Sequence, residues 1–562
     1  MLEVASDEIQ TLPMDHHGLV AAVCKDLRIA ERIDACLGVH DKRIVSPGQS
    51  VVAMILNGLG FTNRRLYLTP QFFESKPVER LLDAPIQAKD LNDHTLGHTL
   101  DEISDYGVSN LFATVAFGVA LEHNLLGTLN HLDTTSISVS GEYATSRASE
   151  EDDGVIHITH GYSKDHRPDL KQAVLSLVVN GPASMPIWME PLDGNSSDKT
   201  SFHETIKKVR AFQRQVDVDK NIKWVADSAL YTKDKLLANN EYLWLTRVPE
   251  IILEARELVS KEDGAVTWQQ SENGYKYAAF VSSHGGIEQR WLMVYSEQAF
   301  MREKKTFEKN FKTKEAALMQ VIWHLGNEVF GCKQDAESEV KILRKKYPLY
   351  HIHGEAVPIL KYAVRGKPSA DTVPEVKGYK LDLVLEMNTK AVEALLNRKG
   401  RFILATNDLD ATGYSDERML SEYKSQQNVE GGFRFLKDPW FMVDSVFLKS
   451  PSRIESLMMV MMLCLLVYNV AQYRLRKKLK EEKETLPNQL DKEVQNPTIR
   501  WIFQIMEGIG MVRFYEPGGN RPIRELVTNM TDLRRKIIHL FGATACQMYG
   551  LNPKMSPGGV GM

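Results

Sequence analysis

The sequence of 562 residues is poor in cysteine and has no cysteine pair at metal-binding spacing. Its five cysteines are Cys24, Cys36, Cys332, Cys464 and Cys546. The lack of a CxxC motif argues against a zinc module and against a disulfide framework, and it fits a reducing cytoplasm. The acidic N-terminal segment also lacks the apolar stretch of a secretory signal, so we expect no signal peptide.

The chain has little net charge and no apolar run long enough for a bilayer. Its formal net charge is −4, so any basic surface that binds nucleic acid must be local. One apolar run, residues 457–468, contains only twelve residues, whereas a membrane-spanning helix needs about 20. We therefore expect a buried core helix there, and no membrane partner.

The composition is that of an ordinary globular protein, with 43% apolar and 25% charged residues. The length allows two to four domains with real cores. Residues 15–125 have the apolar spacing of helices, which predicts an all-helical N-terminal domain over residues 1–125. Such a domain suits DNA recognition, but helical geometry alone fits many other roles.

After residue 125 the periodicity changes to that of strands. The strands are predicted at residues 129–140, 172–180, 185–192, 221–227 and 242–248. Helices are predicted before and after the fourth strand. Three consecutive strands followed by helix, strand, helix and strand are typical of an RNase H-like mixed sheet. We assign residues 126–249 to the first part of this core.

The sheet pattern is then interrupted. Residues 250–400 mix strands with charged helices and are predicted to be a β-rich insertion, and residues 401–475 resume the core. Residues 476–562 are predicted to be a helical C-terminal region with a disordered tail. The fold class is therefore a multidomain α+β or α/β protein. Lysines and phenylalanines alternate in residues 302–314, which fits either nucleic-acid contact or a solvated face.

Residues 419–437, MLSEYKSQQNVEGGFRFLK, are predicted to form one helix. At about 100° per residue, four polar side chains share a narrow stripe of its surface. They are Tyr423, Gln426, Glu430 and Lys437. A neighbouring apolar stripe can pack on a core. The alternative is an amphipathic helix whose charged face is simply solvated.

Three acidic residues lie on elements that an RNase H-like sheet would bring together. Asp133 is in the first strand, Asp227 ends the fourth strand, and Glu430 is on the helix after the resumed strand. Converging carboxylates repel each other unless a cation neutralises them. Oxygen ligands without His or Cys select Mg²⁺ or Mn²⁺, and two such ions can drive phosphodiester chemistry. Alternatively, each aspartate is only a turn residue at a strand end.

The spacing Tyr423-x2-Gln426-x3-Glu430-x6-Lys437 resembles a known signature. It is similar to the Tyr-x2-Arg-x3-Glu-x6-Lys pattern that marks a group of DDE transposases of bacterial insertion sequences. The stretches HLDTTSISVSG, HGYSKDHRPDLKQ and WVADSALY resemble the acidic regions of the same group. The β-rich insertion before the glutamate is another mark of that group. The resemblance covers about residues 125–475.

The resemblance implies roles for the residues of the signature. Asp133, Asp227 and Glu430 would bind two Mg²⁺ ions, with Mn²⁺ as a substitute. Tyr423 and Lys437 would hold phosphates of the transposon end. At residue 426 the chain has glutamine where the group has arginine, and an amide can bind a phosphate but brings no charge.

Two further sets of residues are weaker candidates for DNA contact. In the loop 160–170, Lys164 and Arg167 are candidates; its histidines and His157 are interpreted as part of a loop beside the active site rather than a metal site. The group also stacks an insertion tryptophan on a flipped base. The sequence does not choose among Trp268, Trp291 and Trp323, and a tryptophan at each position is more often a core residue.

The function that the resemblance implies is transposition. The enzyme would cut at the ends of an insertion sequence and join the freed 3′-hydroxyls to target DNA. Its partners would be the terminal inverted repeats and the target DNA, bound by a homodimer in the bacterial cytoplasm at the nucleoid. Two alternatives stay open at this point: an RNase H-like nuclease without strand transfer, and a DNA-binding protein that has lost catalysis.

Overall fold

The computed structural model describes residues 9–61, 68–139, 141, 143, 154–164, 167–196, 198–218, 222–362, 373–438, 448, 450–516 and 522–553. His166 and most of the predicted tail, residues 554–562, lie outside the described residues. The chain forms two compact units, one of residues 1–245 with 421–562 and one of residues 246–420. The five-part domain division stays a prediction.

The part of the chain up to Arg247 contains both helices and strands. Its helices are α1 (His17–Asp26), α2 (Ile29–Leu37), α3 (Pro47–Gly58), α4 (Thr69–Glu74), α5 (Val78–Leu82), α6 (Asp93–Tyr106), α7 (Val108–Glu122), α8 (Asp198–Gln215) and α9 (Lys233–Ala238). Its strands are β1 (Ile9–Pro13), β2 (Leu129–Val139), β3 (Lys171–Asn180), β4 (Met185–Leu192), β5 (Lys223–Ala226) and β6 (Trp244–Arg247).

Local sequence signals set several of these helix ends. Ser46 caps α3: its hydroxyl accepts a hydrogen bond from Gln49 N at 3.1 Å, and Gln49 Oε1 accepts one from Ser46 N at 2.9 Å. Pro47 is the first helical residue. An N–H at this position would have no partner within the helix, so proline loses no hydrogen bond there. Asn92 caps α6 by accepting a hydrogen bond from Thr95 N at 3.0 Å, and Gly107 ends the helix with a φ of +97°.

The sheet of the first unit is mixed. Its strands lie in the order β4-β3-β2-β5-β6. β2, β3 and β4 are antiparallel neighbours, whereas β5 runs parallel to β2. Three consecutive strands therefore form an antiparallel meander, and the chain then returns through α8 to add a parallel strand beside the first one.

The second unit combines a sheet with a long hairpin. Its elements are α10 (Leu253–Val259), β7 (Gln269–Gln270), β8 (Lys276–Ser282), β9 (Gln289–Tyr295), α11 (Glu297–Asn327), α12 (Lys333–Lys346), β10 (Tyr350–Lys361), β11 (Glu375–Met387), α13 (Thr389–Asn397) and β12 (Arg401–Thr406). Strands β12-β9-β8-β7 are neighbours in that order. β10 and β11 form a separate antiparallel pair, and α11 and α12 pack on it around Phe330, Val340 and Leu381.

α14 (Asp416–Lys424) contains the boundary between the two units, which falls after Leu420. The rest of the first unit begins there. It continues with α15 (Gln427–Leu436), α16 (Pro451–Glu481), β13 (Leu486–Pro487), β14 (Glu493–Val494), α17 (Ile499–Ile505), β15 (Gly510–Tyr515), β16 (Pro522–Thr528), α18 (Asp532–Phe541) and α19 (Ala543–Met548). α16 packs on α1, α3, α6, α7, α18 and β4.

By length and composition, α16 is the one helix among the described residues that could cross a membrane. Of its most apolar window, however, 89% is buried inside the protein. The expected core helix is therefore what the structure has, although it is much longer than its twelve-residue apolar run.

The two terminal regions are less helical than the sequence predicts. β1 pairs with β15, with Ile9 opposite Phe514, and β15 pairs with β16. The predictions of an all-helical N-terminal domain and a helical C-terminal region are therefore wrong at these strands. The partner of β1 lies about five hundred residues away in the sequence, so the pairing of this short strand leaves no local pattern that can be read.

Candidate functional site

Two aspartates occupy matching positions on neighbouring parallel strands. β2 and β5 pair with His131 opposite Val225, and Asp133 and Asp227 each follow two residues later, Asp227 in an extended conformation. Side chains two residues apart on a strand project from the same face, so both carboxylates lie on the His131 face. The predicted proximity of the first and fourth strands is confirmed, and the structure brings these two acids together.

A backbone N–H orients each aspartate. Asp133 Oδ1 accepts a hydrogen bond from Thr134 N at 2.7 Å, and Asp227 Oδ1 accepts one from Ala229 N at 2.8 Å. The second bond caps a short 3₁₀ turn, Ser228–Leu230, so Asp227 does serve the turn as the alternative interpretation expected. Both side chains are nevertheless only partly buried, which leaves them accessible from the sheet face.

The loop after residue 160 brings a lysine to this edge. Lys164 Nζ lies 4.0 Å from Asp133 Oδ1 and donates hydrogen bonds to Thr134 O and Thr134 Oγ1 at 2.7 and 2.9 Å. Its ammonium group therefore offsets part of the negative charge at Asp133. Arg167, in contrast, is exposed and forms a bidentate pair with Asp169 at 2.9 and 2.8 Å, which raises its pKa and lowers that of Asp169.

The predicted single helix over residues 419–437 is wrong, because the structure divides it into α14 and α15. At the junction the Ser425 hydroxyl donates to Glu422 O at 2.6 Å, and Gln426 N bonds to Tyr423 O rather than continuing the α-helical ladder. A serine that bonds to nearby backbone competes with the helix in this way. Tyr423 is thus on a different helix from Glu430.

A buried histidine holds this junction on the aspartate face. His131 Nε2 lies 3.0 Å from Ser425 Oγ. Because Ser425 gives its one hydroxyl proton to Glu422 O, its oxygen accepts from the ring N–H of His131. Burial lowers the pKa of His131 to about 4, so the ring is neutral at physiological pH. The sequence analysis missed this residue; its only signal is its place on the same strand face as Asp133.

α15 lies against the sheet at the level of Asp133. The predicted apolar stripe is confirmed, since Val429, Phe433 and Leu436 are buried. A Cβ at Gly432 would be 3.1 Å from Leu465 Cδ2 and 4.0 Å from Leu177 Cδ2. Leu177 is the strand partner of Asp133 in the β2–β3 pair. The helix therefore packs on β2 and β3.

Glu430 lies in the first turn of α15 and is exposed. Within the part of the chain that the structure describes, no three His, Cys, Asp or Glu side chains are close enough to hold one metal ion. The strand register thus places Asp133 beside Asp227, but the structure does not gather all three acids into one cluster. The donor set itself, carboxylate oxygens only, suits Mg²⁺ or Mn²⁺.

The other signature residues flank Glu430 on both sides. Tyr423 is near the end of α14, Gln426 precedes α15 at the junction, and Lys437 follows its last turn. All three side chains are partly buried. Their predicted contacts with DNA phosphates stay predictions.

The tryptophan candidates differ in exposure. Trp291 is buried and donates to Gln289 Oε1 at 3.1 Å, so it is a core residue. Trp268 is partly buried, with the Arg401 guanidinium 5.5 Å from its ring centroid. Trp323 is 65% exposed on α11 and is open to stack on a base.

In the basic cluster of residues 302–314, Phe311 stacks on Tyr350 and so packs inside the second unit.

Comparisons with known proteins add limited information. A family model described as Domain of unknown function (DUF4277) matches residues 9–117, the region of α1–α7. No curated protein matches the chain. A piggyBac transposase synaptic complex with hairpin DNA aligns with a TM-score of 0.35 and 8% identity, over 89% of this chain and 82% of that one. A Mos1 transposase paired-end complex aligns with a TM-score of 0.15 and 10% identity, over 34% of this chain and 57% of that one. Both TM-scores are low, so the case for function rests on the chain's own residues.

Proposed function

We propose that the chain is a DDE transposase that cleaves DNA at the ends of an insertion sequence and transfers the freed 3′-hydroxyls into target DNA. The observation that carries the proposal is the matching position of Asp133 and Asp227 on parallel neighbours β2 and β5. A helix that bears Glu430 at the signature spacing crosses the same sheet face. A turn role for each aspartate would not require this arrangement.

The strand order also supports an RNase H-like core. An antiparallel meander β4-β3-β2 continued by parallel β5 and then β6 is the order expected for that sheet. In the sequence, the second unit lies between β6 and α15, where the proposed group has its β-rich insertion.

We assign the metal-binding role to Asp133, Asp227 and Glu430, with two Mg²⁺ ions per site, or Mn²⁺ in their place. When bound, the ions would activate a water or a 3′-hydroxyl and stabilise the leaving oxygen of the phosphodiester. The Lys164 ammonium, 4.0 Å from Asp133, offsets part of the carboxylate charge at this site. Tyr423 and Lys437 would hold DNA phosphates on either side of Glu430, and Gln426 would contribute a hydrogen bond without charge.

The partners follow from this reaction. The N-terminal helices would bind the terminal inverted repeats, with an affinity that falls as salt rises. Two ends must be cut in concert, so we propose a homodimer that assembles on the DNA, in a bacterial cytoplasm at the nucleoid.

The test uses labelled DNA that carries the repeats flanking the gene, incubated with the full chain and Mg²⁺. We expect cleavage at the repeat ends and joined products with a target plasmid. Asp227→Asn should lose both activities and still retard the DNA. Asp234→Asn, the same change at an exposed residue of α9, should keep both activities.

Other outcomes assign the function elsewhere. Cleavage without joined products would identify a nuclease. DNA retardation with no cleavage by the unmodified chain would identify a binding protein and refute the catalytic proposal.

A further inference from the structure

A wide, basic groove lies beside α15 within the first unit. It has a volume of about 860 Å³ and is formed by α15, α16, the start of α17 and the turn between β3 and β4. Among the described residues that line it, five are cationic and one is acidic. These six are Arg434, Asp438, Arg476, Lys477, Lys480 and Arg500. The whole chain is slightly acidic, so this surface is a local reversal of charge.

Several of these charges are not neutralised by the protein. Arg500 is paired with Asp438, and Lys477 Nζ lies 3.8 Å from Glu481 Oε1. Arg434 and Lys480 are both exposed, and neither side chain has a hydrogen-bond or ion-pair partner among the residues that the structure describes. Two long cationic side chains thus face the groove from different helices, which favours an extended anionic ligand over a single small ion.

The groove begins on the helix that carries Glu430. Gln427, Gly431 and Arg434 line it from the face of α15 next to Glu430. Arg434 follows Glu430 by one helical turn, a rise of about 6 Å. At Gly431 a Cβ would meet no heavy atom of the described residues within 4 Å, so these residues leave the passage between Glu430 and the groove open. A chain of phosphates that reached Glu430 could continue directly over Gly431.

On the opposite wall, α16 presents its cations along its axis. Arg476, Lys477 and Lys480 lie within about one turn of each other on the groove side, over a rise of about 6 Å. Each strand of duplex DNA carries one charge per ~3.4 Å of helix axis. A spread of about 6 Å is short enough for these cations to contact neighbouring phosphates of one strand.

We propose that this groove binds the sugar–phosphate backbone of duplex DNA next to the nucleotide on which the carboxylates act. The inference rests on the proposed function, because that DNA is the substrate. It adds a binding surface outside the signature residues, with Arg434 and Lys480 as its uncompensated cations.

The experiment measures DNA binding by the full chain in EDTA, where no cleavage takes place. Fluorescence anisotropy of a labelled duplex is recorded across a salt series for the unmodified chain and for Arg434→Gln combined with Lys480→Gln. The control is Lys207→Gln, an exposed lysine of α8 that does not line the groove. Thermal melting of each variant checks that the fold is kept.

We expect the double variant to bind DNA on the order of tenfold more weakly for each cation lost, at ~0.1 M salt. The slope of log K against log salt concentration should be smaller in magnitude by about 2. Because phosphate contacts carry no sequence information, the loss should be equal for a duplex with the flanking repeats and one of unrelated sequence. The Lys207 variant should match the unmodified chain.

A second pair of variants separates charge from shape. Gly431→Glu and Gly431→Gln place side chains of equal size at the mouth of the groove, so weaker binding by the glutamate variant alone would support the proposal. Unchanged affinity and salt slope in the double variant, a loss limited to the repeat sequence, or a loss seen with RNA but not with duplex DNA would each overturn it. Cleavage of repeat DNA by the unmodified chain with Mg²⁺ tests the proposed function separately.

Discussion

The hydrogen bond between Ser425 and His131 should control where α15 lies on the sheet. Ser425 Oγ donates to Glu422 O at 2.6 Å and accepts from His131 Nε2 at 3.0 Å. Ser425→Ala removes both contacts and leaves a ring N–H without a partner at a residue that is only 6% exposed. A buried donor left unsatisfied costs about 1–3 kcal/mol, so we expect the free energy of unfolding to fall by that amount.

The effect on catalysis should be larger than this stability loss suggests. The hydrogen bond ties the start of α15 to the strand that bears Asp133, two residues from that carboxylate. A misplacement of ~1 Å at a reacting site can cost on the order of 100-fold in rate. We therefore expect cleavage by Ser425→Ala to be slowed by roughly tenfold to 100-fold under conditions in which the variant is still folded.

Urea denaturation and single-turnover cleavage with Mg²⁺ measure the two effects. Ser425→Thr keeps the hydroxyl and should stay close to the unmodified chain in both assays. Ser421→Ala, the same deletion at an exposed position of α14, is the matched control. If Ser425→Ala is no less stable and no slower than Ser421→Ala, the junction does not position α15 and the reasoning is wrong.

Three further predictions concern α15 and α16. Gly431→Ala should stabilise the chain by about 1 kcal/mol, and Gly432→Leu should destabilise it by about 1–3 kcal/mol in urea, because only Gly432 faces Leu465 closely. Burial raises the pKa of Glu455 from 4.5 to about 7, so the folded chain holds a proton that the unfolded chain releases. As the pH rises from 4.5 to about 7, the free energy of unfolding should fall by up to about 3 kcal/mol. Glu455→Gln should abolish that fall. Gln426→Arg should steepen the slope of log K for DNA binding against log salt concentration by about 1, measured by anisotropy.

The strands of the core could be predicted because their signals are local. Alternating β-branched residues mark β2, and the structure ends it at Val139, one residue before the predicted end. The strand before Asp227 is equally clear, since a buried run ends on a partly buried acid. A fixed topology then makes Asp133 and Asp227 neighbours, so that half of the candidate site follows from the sequence.

The helix junction could not be predicted in the same way. Residues 419–437 have continuous helical periodicity, and the break depends on a contact between Ser425 and His131, 294 residues apart. The place of Glu430 depends in turn on that break and on the close packing of Gly432 against Leu465. Such contacts are decided by tertiary packing, which a single sequence does not specify.

The break also changes which residues can act beside Glu430. In one continuous helix, Tyr423 and Gln426 would share its stripe, and glutamine at 426 would leave a neutral position where phosphate is to be held. With α15 starting at Gln427, the nearest cation on the face next to Glu430 is Arg434, one turn further on and open to the groove. The positive charge that residue 426 lacks is thus available on the same helix. Under the proposed function, glutamine at residue 426 is therefore compatible with DNA binding.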